Sequence, residues 1–489
     1  MKYRSTRTDS ACGYTAAHVI KQGLADDGGL FVPETIPAVT TAELATLAAK
    51  SYPERAAYII GKFLTDYTEG ELLSAAKAAY AEPKFPNETA PLAKLGDDGT
   101  YVLELWHGPT SAFKDMALQI MPRLLSLALD KEGEKRDALI LVATSGDTGK
   151  AALEGYADVD RVKIHVFYPV DGVSEVQKRQ MSTTEGKNVN VTAVKGNFDD
   201  CQNGVKAIFA DKDIASKLDK KGYFLSSANS INWGRLVPQV AYYVSAYCDL
   251  LREGAVEPGD TVNVTVPTGN FGNILACYIA KKMGLPFGKL ICASNKNRVL
   301  TDFFETGVYD RRREFYATTS PSMDILISSN LERLLFMVAG AQKTALYMQK
   351  LKTEGRFEVE PEIMNVIRKD FCGMSADEAD CEKTIASVFN EYGYLCDTHT
   401  AVALGCAKEY KNKDKTAMLV ASTASPYKFA SSVLKALGET EANGFVAQRK
   451  LSELTKTEIP SRIADLESRK VRFKDVITPA EMPEIILAD

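Results

Sequence analysis

A lysine attacks carbonyl carbons once it has given up its proton, and Lys114 stands in a setting that favours this. It lies in the stretch His107-Gly108-Pro109-Thr110-Ser111-Ala112-Phe113-Lys114-Asp115. Gly-Pro-Thr-Ser is a turn that also offers a helix N-cap, and apolar residues at 113, 116, 117, 120, 121, 124 and 125 follow at helical spacing. Lys114 is thereby expected in the first turn of a helix, where a cation opposes the macrodipole. A lysine in electropositive surroundings titrates more easily to the nucleophilic free amine. On its own the same pattern also describes an exposed lysine at a helix start.

Four further stretches carry groups that hold anions. Thr268-Gly269-Asn270-Phe271-Gly272-Asn273 puts two glycines between an apolar run and a helical one, so backbone N–H groups can approach a phosphate at a helix N-terminus. It lacks both the G-x-G-x-x-G fingerprint and the GK[ST] of a P-loop, which points away from dinucleotides and nucleoside triphosphates. Thr144-Ser145-Gly146-Asp147-Thr148-Gly149 offers hydroxyls and amides suited to a carboxylate, or a simple cap. Ser230 and Arg235 stand among amide and hydroxyl donors in a segment where the guanidinium can grip a carboxylate or phosphate. Residues 421–426, Ala-Ser-Thr-Ala-Ser-Pro, place hydroxyls including Thr423 at the end of an apolar run. An activated lysine, a phosphate cradle, a carboxylate loop and hydroxyls at strand ends are together the equipment of a pyridoxal phosphate enzyme acting on an amino acid.

The elements that must position these groups read as an α/β chain. Residues 1–80 are mostly helical, with helices over 14–23 and 40–50 and a short extended piece at 31–33. Residues 81–99 carry three prolines within nine residues and then two glycines, the composition of a linker. From about 100 onward, apolar strand signals at 138–143, 162–168, 189–194, 262–266, 290–293 and 417–422 alternate with helical stretches. Those helices are expected at 173–184, 199–211, 234–252, 274–283, 330–351, 361–371, 376–391 and 399–410, with Pro238 a candidate kink. Repeated βαβ units imply mostly parallel strands covered by helices on both faces, with ligands beyond the strands' carboxyl ends. The tail after 440 is mixed and charged and is expected as helices on the outside.

The chain of 489 residues has 45% hydrophobic and 25% charged residues, an ordinary composition for a globular protein of two to four domains. A net charge of −5 gives no reason to expect nucleic acid or a membrane surface as a partner. No stretch of membrane-spanning length is apolar throughout, and Met-Lys-Tyr-Arg-Ser-Thr-Arg is not a leader peptide, so a cytoplasmic location is expected. Nine cysteines lack a CxxC pair and fit buried thiols. The four histidines, 18, 107, 165 and 399, have no metal-ligand neighbours, so no metal is expected.

The long motifs resemble those of the threonine synthase family. His107 to Asp115 is similar to its HGPTxxFKD motif, residues 143–149 to its ATSGDTG loop, and residues 267–273 to its PTGNFGN loop. Residues 3–7, 23–33, 320–330, 397–401 and 421–429 resemble further family segments, so the likeness runs over nearly the whole chain. It implies a fold type II pyridoxal-phosphate enzyme, tryptophan synthase β-like, with mostly parallel sheets flanked by helices. A mainly helical N-terminal domain over 1–95 would precede a catalytic domain over 96–489, and long members tend to be monomers.

The resemblance also implies roles. Lys114 is the Schiff-base lysine and acid/base, with Phe113 beside it. Gly269, Asn270, Phe271, Gly272 and Asn273 hold the pyridoxal 5'-phosphate phosphate group, and Thr423 bonds the pyridine nitrogen. Thr144, Ser145, Asp147 and Thr148 face the substrate, and Ser230 and Arg235 its phosphate. Ser425 departs from the family, standing where a histidine is frequent. The implied reaction turns O-phospho-L-homoserine and water into L-threonine and phosphate. Rival readings are a serine/threonine dehydratase-like enzyme of the same fold and a non-catalytic metabolite-binding homologue. His107 and His399 are the other groups with near-neutral chemistry, and both can equally be structural.

Overall fold

The structure is a computed structural model that describes residues 1–488 except 10–12, 87, 145, 172 and 441. Its strands, in chain order, begin with β1 (Tyr3–Ser5) and β2 (Phe31–Pro33), an antiparallel pair in the helical N-terminal region. β3 (Leu92–Leu95) and β4 (Thr100–Glu104) follow, then β5 (Asp137–Ala143), β6 (Val162–Pro169), β7 (Val189–Val194) and β8 (Tyr223–Ser226). After the helix Trp233–Arg252 come β9 (Val262–Pro267), β10 (Phe287–Ser294), the small pair β11 (Val308–Asp310) and β12 (Arg356–Glu358), then β13 (Phe371–Ser375), β14 (Ala417–Ser422) and β15 (Val476–Ile477).

Two sheets carry the fold. One has the order β13-β10-β9-β14-β4-β3 and is parallel except for the β3–β4 edge; the other, β15-β7-β6-β5-β8, is parallel throughout. The apolar runs explain the central strands. All of β9 is buried, and only the first residue of β14 is partly open, as parallel strands with helices on both faces require. The largest hydrophobic cluster joins the N-terminal helices to the layers around both sheets: Phe63, Trp233, Tyr242 and Phe271 all belong to it. The expected α/β architecture with mostly parallel sheets is thus present.

Several local expectations need correction. The proline-rich stretch 81–99 is not all linker, because residues 92–95 form an antiparallel edge strand; a short, half-exposed edge needs no continuous apolar run. The helix after Lys114 is two helices, Asp115–Leu118 and Met121–Lys131. Pro122 has no N–H for the Leu118 carbonyl, and that carbonyl instead lies against Gly155, where a Cβ would come within 1.9 Å of it. A single helix, Trp233–Arg252, runs through Pro238. The helix Leu331–Thr353 is broken at Gly340, whose φ of 79° lies outside the helical region. The tail after 440 contributes β15 to a sheet, and Met482 and Ile486 from its last helix are fully buried against that sheet.

Candidate active site

The carboxyl ends of β4, β5, β9 and β14 converge, and each delivers one of the stretches singled out by chemistry. Beyond β4 the chain makes the 107–114 turn, in which Ser111 takes a φ of 55°. This turn is held against the end of β14. The Phe113 N–H donates to the Thr423 carbonyl at 2.8 Å and the Ser425 N–H to the Ser111 carbonyl at 3.1 Å. Thr423 and Lys114 are therefore neighbours through backbone pairing, although they lie far apart in sequence.

Lys114 caps the helix Asp115–Leu118, and its side chain is only 12% exposed. Its Nζ lies 3.2 Å from Ser322 Oγ, 3.8 Å from Asp147 Oδ2 and 5.1 Å from the centre of the Phe113 ring. Burial pushes the ammonium toward the free amine; Asp147 opposes this, and the positive charges of Lys428 and Arg235 reinforce it, so the net direction is down.

Asp147 begins the helix Asp147–Tyr156 after β5. Its Oδ1 meets Lys428 Nζ at 2.5 Å and Gln177 Nε2 at 3.2 Å. Burial alone would raise this carboxyl, but Lys428 and Lys114 outweigh it and hold the group well below the ordinary carboxylate range. Lys428 is itself fully buried and donates also to the Thr110 carbonyl at 2.9 Å. Asp115, next to the lysine in sequence, shows the contrary balance. Burial lifts its carboxyl to about 6 although the Thr110 N–H and hydroxyl both donate to it at 2.8 Å.

The Thr144 hydroxyl is spent inside its own loop, accepting from the N–H groups of Gly146 and Gly149 at 3.1 and 3.0 Å. Thr148 is half-buried on the same turn, while Ser145 lies outside the described residues. Arg235 is 4% exposed, and burial draws its guanidinium down to about 10. One Nη donates to the Ala228 carbonyl and Nε has no partner. Ser230 sits near the phosphate-type loop, its carbonyl 3.4 Å from Asn330 Nδ2.

That loop, after β9, leaves a buried donor open at a helix N-terminus. Phe271 takes a left-handed φ of 65° at the N-cap of the helix Gly272–Lys282 and is buried against Phe304 and Phe371. Asn273 Oδ1 receives the hydroxyls of Tyr242 and Tyr243 at 2.5 and 2.6 Å, which turns its Nδ2 the other way; this donor is buried and unpartnered. Residues 320–330 lie over the loop. Ser328 Oγ donates to the Gly269 carbonyl at 2.7 Å, Asn330 bonds the Asn270 carbonyl twice at 3.0 Å, and a Cβ on Gly269 would approach the Ser322 carbonyl to 2.5 Å.

Pyridoxal phosphate fits this donor set: an orphaned amide and a helix N-terminus for its phosphate, and a buried lysine at carbonyl-bonding chemistry. Lys428, Ser322 and Asp397 join the site without having been marked as site residues in the sequence, and His399, a candidate from the sequence, comes with them. His107, by contrast, pairs with Glu104 at 2.7 Å and stacks on Trp106. Among the described residues no cluster suits a metal ion, and no helix is long and apolar enough to cross a membrane.

Family models match the chain over residues 2–80 ("Threonine synthase N terminus"), 86–422 ("Pyridoxal-phosphate dependent enzyme") and 400–486 ("Threonine synthase, C-terminal"). Threonine synthase of Pseudomonas aeruginosa is 40% identical over 99% of this chain and 97% of its own. Threonine synthase-like 1 of Macaca fascicularis is 42% identical over 87% of this chain, which spans only 58% of that longer protein. Among solved structures, PLP-bound threonine synthase from Brucella melitensis superposes with a TM-score of 0.89 at 38% identity, covering 100% of this chain and 99% of the other.

Proposed function

This chain belongs to the threonine synthase family of pyridoxal-phosphate-dependent enzymes, and on that premise we propose that it converts O-phospho-L-homoserine and water into L-threonine and phosphate. The observation that carries the reading is the meeting, at one buried amine, of loops from both sheets: Lys114 Nζ lies 3.2 Å from Ser322 Oγ and 3.8 Å from Asp147 Oδ2.

Bound pyridoxal phosphate supplies the electron sink that makes the substrate's Cα and Cβ protons removable. The residues that would hold it are Lys114 and Phe113, Gly269 to Asn273 for the phosphate, and Thr423 for the ring nitrogen. Thr144, Ser145, Asp147 and Thr148 form the loop for the substrate's carboxylate side. Ser230 and Arg235 are the groups for the substrate phosphate, and the unpartnered Arg235 Nε is a free donor for it. Lys114, kept toward its free amine, accepts the proton from Cα and is the group that returns one. A second proton leaves Cβ as phosphate departs from Cγ, Cγ then takes up a proton and becomes the methyl carbon, and water adds its hydroxyl at Cβ while its other proton is released. Arg235 and Lys428 keep the pocket positive as the second anion forms. The domain division at residues 95/96, a monomeric state and a cytoplasmic location belong to the same proposal.

The test is turnover of O-phosphohomoserine by the purified protein reconstituted with pyridoxal phosphate. Threonine and inorganic phosphate in equal amounts are expected. A yellow protein that releases no phosphate would assign the site to a dehydratase-like reaction, and one that takes up no cofactor would remove the enzyme reading.

A further inference from the structure

Two buried groups beside the site have no part in the chemistry above. Asp397 and His399 are 0% and 2% exposed. Asp397 caps the helix Thr398–Lys411, taking the N–H groups of His399 and Thr400 at 3.0 Å and the His399 ring Nδ1 at 2.7 Å. The other ring nitrogen, Nε2, lies 3.1 Å from the backbone N of Ser322. A backbone N–H can only donate, so Nε2 must present its lone pair and the ring proton must sit on Nδ1, against the carboxylate. His399 in this state is an acceptor for one particular amide.

That amide belongs to the short turn Pro321–Met323, which is fixed from two other directions. Asn295 Nδ2 and the Thr318 N–H hold Asp324, just after the turn, at 2.8 and 2.9 Å. On the opposite side the Ser322 carbonyl closes on Gly269. The result is a serine hydroxyl held 3.2 Å from Lys114 Nζ.

We propose that Ser322 is a further catalytic residue that aims the lysine amine, and that Asp397 and His399 are positioning residues acting through the Ser322 backbone. A free amine has two N–H groups and one lone pair. With one N–H given to Ser322 Oγ and the other drawn toward Asp147, the lone pair is left to face the substrate carbon. When the carbon–hydrogen bond breaks, the proton joins that lone pair and the electron pair stays with the substrate. The ammonium so formed keeps both contacts, and Ser322 retains its own proton. This inference rests on the reaction proposed above.

The experiment uses Ser322→Ala, His399→Ala and the double variant, each as holoenzyme and as cofactor-free protein. Removing an aiming contact costs about 10- to 100-fold in kcat, with KM and cofactor affinity unchanged within about twofold. His399→Ala is expected to lose about the same factor, and the double variant no more than either alone, because the residues act as one unit. Independently of turnover, hydrogen exchange at the Ser322 amide in the cofactor-free protein is expected to rise about tenfold or more in His399→Ala and to stay unchanged where the histidine is intact. Ser322→Ala within twofold of the parent kcat, multiplying losses in the double variant, or unchanged exchange in His399→Ala would each overturn the proposal. Should His399→Ala fail to fold, Ser322→Ala still decides it. A parent enzyme that makes no threonine would instead overturn the reaction, and the exchange result would stand apart from it.

Discussion

The loop after β9 and the loop after β5 both turn a buried parallel strand into a helix; the second borders Lys114 directly, and the first is linked to it through the Ser322 turn. The first, residues 268–273, carries no formal charge. It offers backbone N–H groups and the Asn273 amide, braced from behind by two tyrosine hydroxyls and from above by residues 320–330. The second, residues 144–149, carries Asp147, which is stable there only because Lys428 and Lys114 surround it. In the function proposed above, the first loop meets an anion with fixed dipoles and the second sets the charge balance around Lys114. The difference separates holding a ligand from tuning a base.

The sharpest way to break that division is Lys114→Ala. Turnover is expected to fall by about 10³-fold or more, while the dipole-built loop still takes up pyridoxal phosphate, read by fluorescence. Loss of uptake as well would show that the cradle depends on the lysine. Lys428→Met probes the other loop. It leaves Asp147 buried with Lys114, at 3.8 Å, as its one close lysine, and a destabilisation of about 3–5 kcal/mol is expected in denaturant unfolding. Lys428→Met combined with Asp147→Asn should be milder than Lys428→Met alone.

The carboxyl groups flanking the lysine sharpen the comparison through acid. Asp147 is depressed in the folded state, so its contribution is complete above the ordinary carboxylate range and is lost as the pH falls through its folded value. Asp115, raised to about 6, runs the opposite way: its contribution is complete below about pH 4 and is lost as the pH rises through 6. Asp115→Asn should therefore flatten a stability change of up to about 3 kcal/mol between about pH 4 and pH 6. The smallest effect is expected from Gly269→Ala. Its Cβ presses on the Ser322 carbonyl, and cofactor affinity should fall about tenfold as the overlying turn shifts.

Much of this was legible in the chain. Buried parallel strands are rich in β-branched and apolar residues, continuous in β5 and β14 and interrupted by single polar residues in β6, β7 and β9, so these five announced themselves, and glycines and hydroxyls just past them marked the loops around Lys114. Short edges such as β3 and β15 carry too few residues for a pattern, and the break at 119–120 needs Gly155 to be seen. Lys428, Ser322 and His399 lie in segments that resemble the family's, and His399 was already a candidate, but what each of them does was not legible. Each matters through a partner brought near by the sheets, Asp147 for the first, Lys114 for the second and the Ser322 amide for the third. Residues whose work is local leave a local signature, and those that charge or aim another group do not.

The position of β14 has a consequence for how the protein is made. It lies between β9 and β4 in the middle of the six-stranded sheet, yet it comes from residues 417–422. On the ribosome, β4 and β9 emerge early with an unfilled lane between them. Thr423 and Lys428 arrive just after the strand that fills it, so a nascent or truncated chain has its reactive lysine long before it has the surroundings that make the lysine useful.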